Sequence, residues 1–224
     1  MADITIAHAS DTHGSPAIVR AFGKSSADML LLTGDIMQNK GRDLSTGRIN
    51  KRVEKKYQQT WFRRQAKKWA QDIGSRPVIT VRGNHDFISA APWLNHYGVD
   101  VYEITDENPS IELFGKTWAG FRQIPYIDGE WAGERHDLSM DIKRAFDADP
   151  DILVTHVPPS GILDYSSEWG EHFGSSELTT KLTYTEHKVT HHFFGHVHEC
   201  GGRVQEEMGI KFINGACTYK EHTV

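Results

Sequence analysis

The amino-acid sequence predicts an α/β fold in which short buried strands alternate with helices. Five apolar runs have the length and composition of buried strands, and segments with helical spacing lie between several of them. Each run ends in glycine, aspartate, asparagine or histidine. Ligands of open α/β sheets bind at the carboxyl ends of the strands. The polar endings therefore predict a functional site at that edge.

Composition limits the kind of protein and its partners. The chain has 224 residues, 38% hydrophobic and 25% charged, which suits one globular domain over residues 1–224. Its net charge of −5 does not favour general electrostatic binding to nucleic acid or to membranes. Two cysteines, Cys200 and Cys217, are too few for a disulfide framework. We see no apolar leader and no stretch long enough to span a membrane, so a cytoplasmic location is expected.

The first two predicted strands both end in side chains that can bind a metal. Residues 4–9 form a strand that is followed by Asp11 and His13, and a helix is predicted from Ser15 to Phe22. Residues 28–33 form a second strand that ends in Gly34 and Asp35. Asp11 and His13 are two residues apart, so an extended backbone points both side chains the same way.

A long basic helix is predicted over residues 48–73. Ile49, Val53, Tyr57 and Trp61 begin an apolar face, and eight lysines and arginines occupy much of the remaining surface. Such a face is most often simply solvated. The alternative is a surface that attracts a phosphate-bearing polymer or a partner protein.

The remaining strand ends complete the pattern. Residues 77–81 form a strand followed by Asn84, His85 and Asp86, and residues 152–155 form one followed by His156. A last run of this kind is followed by Gly195, His196 and His198. Further elements are predicted as helices at residues 89–97, 138–146 and 178–189, strands at 99–104, 111–114 and 117–121 in a second sheet or at a sheet edge, and hairpin strands at 203–206 and 210–213.

The donor types favour a pair of transition metals. Carboxylates mixed with imidazoles suit Mn, Fe, Zn or Co better than Ca. Seven candidate ligands exceed what one tetrahedral zinc site needs. They are instead typical of two adjacent metals that share a bridging carboxylate.

In this order, the motifs resemble those of the calcineurin-like metallophosphoesterase superfamily. The motifs are Asp11-x-His13, Gly34-Asp35, Gly83-Asn84-His85-Asp86, His156 and Gly195-His196-x-His198. Residues 155–164 and 195–216 look like the small single-domain branch, which has cyclic-nucleotide phosphodiesterase-like members. Residues 36–39 lack the Asp-Arg-Gly continuation of protein Ser/Thr phosphatases. The resemblance implies a four-layer α/β/β/α sandwich of two mixed β-sheets flanked by helices.

The resemblance also implies roles for the motif residues. Two sets of ligands are implied: Asp11, His13, Asp35 and His198 for the first metal, and Asp35, Asn84, His156 and His196 for the second. Asp35 bridges the two ions, and a bridging hydroxide attacks phosphorus directly. His85 is implied as the leaving-group proton donor or phosphate contact, and Asp86 as the carboxylate that orients it. Manganese is the favoured metal, with Fe, Zn, Ni, Co and Mg as alternatives.

The expected activity is hydrolysis of phosphodiesters or phosphomonoesters, with a small-molecule or cyclic-nucleotide substrate favoured. One alternative is a nuclease or nucleic-acid end-processing phosphatase, guided by the basic helix. Another is a non-catalytic metal-binding scaffold. The loops at residues 37–47, 122–135 and 160–177 are expected to select the substrate, and the aromatic 122–135 loop is equally well read as a substrate wall or as a cover for the core. The sequence leaves the physiological substrate and the oligomeric state open.

Overall fold

Two mixed β-sheets pack face to face, and helices cover their outer faces. This architecture comes from a computed structural model that describes residues 3–224, apart from the side chains of Pro16 and Val19. Separate apolar clusters fill the space between the sheets and the space beneath each helical layer. The predicted four-layer α/β/β/α sandwich is confirmed.

The first sheet is mostly parallel. Its strands are β1 (Thr5–Ala9), β2 (Met29–Leu32), β3 (Val78–Val81), β4 (Val101–Ile104) and β15 (Tyr219–Thr223), in the order β15-β1-β2-β3-β4. The strands β1 to β4 run parallel, while β15 pairs antiparallel with β1. The carboxyl ends of β1, β2 and β3 therefore meet at one edge of the sheet.

The central strands of the second sheet are also parallel to one another. Its strands are β5 (Ser110–Leu113), β6 (Lys116–Phe121), β9 (Ile152–Thr155), β12 (His191–Phe194), β13 (Val204–Glu207) and β14 (Ile210–Asn214), in the order β13-β14-β12-β9-β6-β5. The strands β6, β9, β12 and β14 are parallel, and the two edge strands are antiparallel to their neighbours. Two short pairs lie in the loops: β7 (Ile124–Pro125) with β8 (Glu134–Arg135), and β10 (Tyr165–Ser166) with β11 (Glu171–His172).

Five helices and one 3₁₀ turn complete the described chain. They are α1 (Pro16–Phe22), α2 (Lys51–Ile73), α3 (Ala91–His96), α4 (Ser139–Asp147), α5 (Ser176–Tyr184) and the 3₁₀ turn η1 (His198–Cys200). Residues of α1, α2 and α3 pack on the first sheet, and residues of α4 and α5 pack on the second. Across residues 3–224, the structure shows no helix with the length and apolar character that a membrane crossing requires.

The two sheets share an apolar core. Ile6, Leu31 and Ile79 of the first sheet pack in one cluster with Trp118 and Phe193 of the second. All five side chains are fully buried. This packing fixes the two sheets against each other, so side chains at their neighbouring edges have defined relative positions.

The buried stripe of α2 is rotated from the predicted face. Val53 was expected on the apolar side but is 38% exposed, whereas Glu54 and Gln58 are buried. Glu54 accepts hydrogen bonds from the backbone amides of Lys40 and Gly41, at 3.0 and 2.7 Å, so its burial is compensated. The lysines and arginines of α2 are exposed, as predicted for a solvated face.

Several element boundaries differ from the prediction. The strand expected at residues 99–104 is the edge strand β4 of the first sheet, while β5 and β6 belong to the second. The helix α5 ends at Tyr184, so Val189 lies outside it. No strand was predicted at β15, because its sequence is polar and its apolar residues show no alternation.

His192 is a buried histidine that the fold keeps neutral. Its Nε2 lies 2.7 Å from Thr155 Oγ1, and that hydroxyl donates to the Val157 carbonyl. The His192 Nε2–H is therefore the donor to Thr155, and Nδ1 is left as a buried atom with no partner. Burial lowers the pKa of His192 to about 3. Protonation would place an unsatisfied N–H and a charge in the core.

We expect His192 to make folding stability depend on pH. Its folded pKa lies below its unfolded value of 6.5, so the unfolded chain binds the extra proton between these values, and stability falls as the pH falls. The loss is about 2 kcal/mol between pH 7.5 and 5.0. His192→Gln keeps a donor for Thr155 without the titration, so urea unfolding should show a loss smaller by that amount. Equal pH dependence in the two proteins would contradict this assignment.

Candidate metal centre

Five strands, three in the first sheet and two in the second, bring the predicted ligands together. Asp11 follows β1, Asp35 follows β2 and Asn84 follows β3, while His156 follows β9 and His196 follows β12. Asp11, Asp35 and His196 have positive φ angles of 50, 52 and 70°. Left-handed conformations are uncommon for such residues and concentrate at functional sites. The strained turns direct these residues away from the strands and toward a common point.

One group of donors lies between β1 and η1. His198 Nε2 is 3.2 Å from Asp11 Oδ1 and 3.4 Å from His13 Nε2. One ligand atom from each of these three residues lies within 4.8 Å of the others. Two imidazole nitrogens and a carboxylate oxygen thus lie close enough together to bind one ion.

A second group of donors is fully buried. His156 Nε2 lies 2.9 Å from Asn84 Oδ1 and 3.4 Å from Asp35 Oδ2. On the other side of the ring, His156 Nδ1 lies 2.7 Å from the Thr33 carbonyl, to which it donates. This second hydrogen bond fixes the ring and leaves Nε2 directed at the cluster, an arrangement typical of histidine ligands.

His196 adds an unpaired nitrogen to the same region. Its Nε2 is buried and has no hydrogen-bond partner among the described residues, and its ring centroid is 5.0 Å from that of His156. Its backbone amide donates to Asp11 Oδ2 at 2.9 Å. A buried nitrogen without a partner calls for an explanation, and an ion is one that fits a ring beside two carboxylates.

Close backbone approach explains the glycine of the Gly83-Asn84-His85-Asp86 motif. A Cβ at Gly83 would collide with Asp35 Oδ1 and lie 2.6 Å from the Asp35 amide nitrogen. Asp35 Oδ1 is held there by the backbone amide of His85, which donates to it at 2.7 Å. Only glycine lets the β2 and β3 loops approach this closely.

The electrostatics of the cluster favour added positive charge. Burial alone would raise the pKa of Asp35, but the charges of His156 and His85 outweigh it and hold that pKa below its usual value. Burial would lower the pKa of His156, but the charge and hydrogen bond of Asp35 raise it to about 9. Burial and the charge of His156 lower the pKa of His196 to about 3. The two buried carboxylates thus attract a positive charge, and the neutral His196 ring keeps its lone pair free.

The donor set fits divalent transition metals. Ligands about 2.1 Å from one ion lie roughly 3.0–3.4 Å from each other in tetrahedral or octahedral geometry. The observed separations of 2.9–3.4 Å are close to that range. Nitrogen and oxygen donors suit Mn, Fe, Zn, Ni or Co. The residues present therefore fit the metals that the sequence implied.

Asp86 makes different contacts from those expected. Its Oδ1 accepts from the Met37 amide at 2.9 Å and its Oδ2 from the Gly83 amide at 3.0 Å, with a longer contact from Ile36 at 3.4 Å. Among the described residues no hydrogen bond joins it to the His85 ring. Burial and then the charge of Asp35 raise the pKa of Asp86 to about 6. The expected contact between Asp86 and the His85 ring is therefore wrong, because both Asp86 oxygens accept hydrogen bonds from backbone amides. Through these bonds Asp86 links the β2 and β3 loops.

His85 lies at the wall of a cavity above the cluster. One of its ring atoms lies within 4.8 Å of ligand atoms of His13 and Asp35, so geometry also permits it to approach a metal. Its ring packs against that of Trp131, with centroids 3.8 Å apart and the ring planes tilted by 33°. The cavity has a volume of about 580 Å³. It is lined by Asp35, Asn84, His85, His196 and His198 of the cluster and, among others, Arg42, Trp131, Glu168, Trp169, Glu171 and Glu199.

Some residues that support the site were not singled out from the sequence. Gln58 of α2 donates to the His85 carbonyl at 2.6 Å and accepts from the Phe87 amide at 2.8 Å. Trp131 was noted only as part of an aromatic loop. A polar residue at a buried position of α2 is the one signal that could have identified Gln58, and it becomes visible only once the buried face is known.

Comparisons with known proteins relate the chain to a described family and to individual proteins. The family description "calcineurin-like phosphoesterase" matches residues 4–200. A protein of Caenorhabditis elegans, UPF0046 protein K07C11.7, is 27% identical over 132 residues, which are 59% of this chain and 40% of that protein. A solved structure from Streptococcus pneumoniae TIGR4 is described as a conserved uncharacterized protein and predicted phosphoesterase. It is 15% identical with a TM-score of 0.39, over 100% of this chain and 84% of that one.

The fold and the site define an α/β protein with a metal-binding donor set at the carboxyl ends of its strands. The family match extends over most of the chain and includes every predicted ligand. The chain belongs to the calcineurin-like phosphoesterase family, and the predicted resemblance is confirmed. Its match to the worm protein covers less than half of that protein's length.

We expect Asp35→Asn to reduce metal binding sharply. Asp35 shares one possible metal site with His13 and His85 and another with Asp11 and His156, and the amide removes the buried charge that attracts a cation. Elemental analysis of protein saturated with Mn²⁺ and then desalted should give about two ions per wild-type chain and fewer than one per variant chain. Asp147→Asn, at the exposed end of α4, is the matched control and should retain both ions. Full occupancy in Asp35→Asn would contradict the bridging role.

Proposed function

We propose that this protein hydrolyses small phosphoric esters with the help of two divalent metal ions. The observation that carries the proposal is the convergence of the motif residues, in family order. Six of the seven have ligand atoms 2.9–3.4 Å from those of another, and the ring centroid of the seventh, His196, is 5.0 Å from that of His156. Membership in the calcineurin-like phosphoesterase family supports the same reaction class. Asp11, His13, Asp35 and His198 would hold one ion, and Asp35, Asn84, His156 and His196 the other.

The metals and the residues of the chain would have different roles in the reaction. When bound, two adjacent divalent ions supply Lewis acidity, which neutralises phosphoryl oxygens and lowers the pKa of a coordinated water. The Thr33 carbonyl keeps Nδ1 of His156 protonated and so reserves Nε2 for binding. The Asp11 and Asp35 carboxylates are held by the amides of His196 and His85, at 2.9 and 2.7 Å. The chain therefore presents preorganised ligands.

His85 is the group that we propose to act on the leaving oxygen. Its ring lines the cavity and is half-buried, and no described residue forms a hydrogen bond with its ring nitrogens. Its backbone is fixed by Asp35 and Gln58. A free ring nitrogen on a fixed backbone beside the donor cluster is suited to give a proton to a departing alkoxide.

The cavity favours a small ester over a polynucleotide. Arg42 is the one lysine or arginine among the described residues that line the cavity, whereas three glutamates, Glu168, Glu171 and Glu199, line it as well. The cationic residues of α2 do not line it. These glutamates would repel a polyanion, while one phosphoryl group would be attracted to the metals. The preference for small-molecule or cyclic-nucleotide esters rests on this charge distribution and on the cavity volume of about 580 Å³.

The exposed basic face of α2 supports a second candidate, a nuclease or nucleic-acid end-processing phosphatase. Polynucleotide substrates contacted by several lysines and arginines should show rates that fall steeply as salt increases. A small phosphodiester should show little dependence. Faster cleavage of a polynucleotide than of every small ester, with a steep salt slope, would favour this candidate over ours.

Manganese remains the proposed physiological metal, and the cytoplasm the proposed location. Cys200 and Cys217 are free thiols, as suits a reducing compartment. Removing the metals with a chelator should abolish hydrolysis of bis-p-nitrophenyl phosphate, because the cluster then lacks its Lewis acids. Readdition of Mn²⁺ should restore the rate, and a parallel series with Fe²⁺, Zn²⁺, Ni²⁺, Co²⁺ and Mg²⁺ ranks the alternatives. Metal-independent hydrolysis by the chelated protein would refute the proposed function.

His85→Asn should lower turnover in a way that depends on the leaving group. Asparagine cannot donate the proton, so kcat on an alkyl phosphoester should fall by about 100-fold or more. A p-nitrophenolate leaving group needs little protonation, so its rate should fall much less. Metal content should stay at the wild-type level. Near-normal turnover on the alkyl ester, or loss of a metal, would remove His85 from this role.

A further inference from the structure

The His85 side chain lacks the hydrogen-bonded partner that usually holds a catalytic histidine. Its ring nitrogens accept or donate no hydrogen bond within residues 3–224, and the carboxylate of Asp86 is engaged by backbone amides instead. The His85 backbone is fixed on both sides, since its amide donates to Asp35 and its carbonyl accepts from Gln58 and Asn39. What remains to be fixed is the rotation of the side chain.

Aromatic contacts are what restrict that rotation. The ring of His85 packs against the indole of Trp131 at a centroid distance of 3.8 Å, with the two planes tilted by 33°. Its other ring neighbour, His13, meets it edge-on at 5.0 Å and 87°. A face contact with the larger indole covers one side of the imidazole, and His13 limits its swing toward the metal cluster.

Trp131 is itself held rigidly enough to serve this purpose. Its backbone amide donates to Glu134 Oε1 at 3.0 Å. A Cβ at Gly129 would lie 2.5 Å from Trp131 Cδ1, so the indole packs directly on that backbone. The guanidinium of Arg42 lies 5.7 Å from the indole centroid and donates to the Gly129 carbonyl at 3.0 Å. These contacts fix the indole in the plane that His85 needs.

The Trp131 loop is also tied to the metal-binding loop. The amide of Ala132, next to Trp131, donates to the Asn84 carbonyl at 2.8 Å. Asn84 is the predicted ligand immediately before His85. The indole and the imidazole are thus positioned with respect to the same backbone segment, and their separation does not depend on distant parts of the fold.

We propose that Trp131 is the positioning residue for His85: its indole holds the imidazole in the rotamer that delivers a proton to the leaving oxygen. The inference rests on the proposed function, because it assigns the means by which the proton donor of that reaction is held. It replaces Asp86, which the sequence implied for this task. Trp131 would act through His85 and would not need to touch the phosphoryl group.

The test compares leaving groups in single and double variants of the metal-loaded protein. Trp131→Ala should lower kcat on an alkyl phosphoester by about tenfold or more, and on the p-nitrophenyl ester by less than about threefold. Trp131→Phe keeps an aromatic face and should restore most of the alkyl rate. Trp169→Ala removes another tryptophan of the same cavity, one that is 70% exposed and has no ring contact with His85. It should change both rates by the same factor.

A double-mutant cycle shows whether Trp131 acts through His85. If it does, adding Trp131→Ala to His85→Asn costs nothing further on the alkyl ester. Additive losses would overturn the inference and make Trp131 an independent substrate contact. If His85→Asn shows no leaving-group dependence, it is the proposed role of His85 that fails. A normal His85→Asn effect with an inert Trp131→Ala refutes the positioning role alone.

A spectroscopic readout separates positioning from substrate binding. The indole ring current shields the carbon-bound protons of the His85 imidazole. In the Zn²⁺-loaded, substrate-free protein, these signals should move downfield in Trp131→Ala and stay nearly unchanged in Trp131→Phe and Trp169→Ala. Identical His85 signals in wild type and Trp131→Ala would overturn the proposal.

Discussion

The two buried carboxylates of Asp11 and Asp35 are the constraint on which the rest of the site depends. A buried carboxylate is costly unless donors or cations surround it. Each one receives a backbone amide from a neighbouring loop and an imidazole from the second sheet. The need to stabilise these charges thus brings residues of both sheets to one edge. It also explains why the same edge is prepared to accept metal ions, which supply more positive charge than the imidazoles can.

Glycine and left-handed turns make that convergence sterically possible. Gly83 lets the β3 loop approach Asp35, and Gly195 lets the β12 loop approach Asp11, where any side chain would collide with the carboxylate. The carboxylates in turn hold these loops through hydrogen bonds to the amides of His85 and His196. Local strain and buried charge are therefore offset by the same contacts, which helps to keep the ligands preorganised.

The predicted ligand residues could be identified from the sequence because each follows a short apolar strand. A parallel sheet places such endings at one edge, so the strand endings identify Asp11 and Asp35 in the first sheet and His156 in the second. The packing of the two sheets then brings the edges together. The resemblance in motif order then extended this to the fold. The prediction for Asp86 was incorrect because adjacency in sequence says nothing about direction: its carboxylate points back to the loop amides and not to the His85 ring.

Contacts made by polar residues from distant segments were not predictable in this way. Gln58 and Glu54 occupy buried positions of α2 because loops from elsewhere in the chain present backbone groups to them. Without those partners, a pattern based on apolar spacing assigns Val53 to the interior, where the structure exposes it. The polar strand β15 was missed for a related reason. Its place is set by pairing with β1 and not by a hydrophobic alternation of its own.

The division between strands and loops has a consequence for specificity. The proposed metal ligands follow strands that a packed core fixes, whereas the cavity walls come from loops such as residues 128–134 and 166–173. In many enzymes such loops vary independently of the chemistry. Here the loop that carries Trp131 is hydrogen-bonded to the Asn84 carbonyl and packs against the His85 ring, so a change that reshapes this wall also moves His85, the proposed proton donor. The 166–173 wall, with Trp169 and Glu168, has no such link to His85 among its hydrogen bonds and ring contacts in the described chain. Under the proposed roles, substrate preference should therefore evolve more readily at the 166–173 wall, while the Trp131 wall is constrained by its contact with His85.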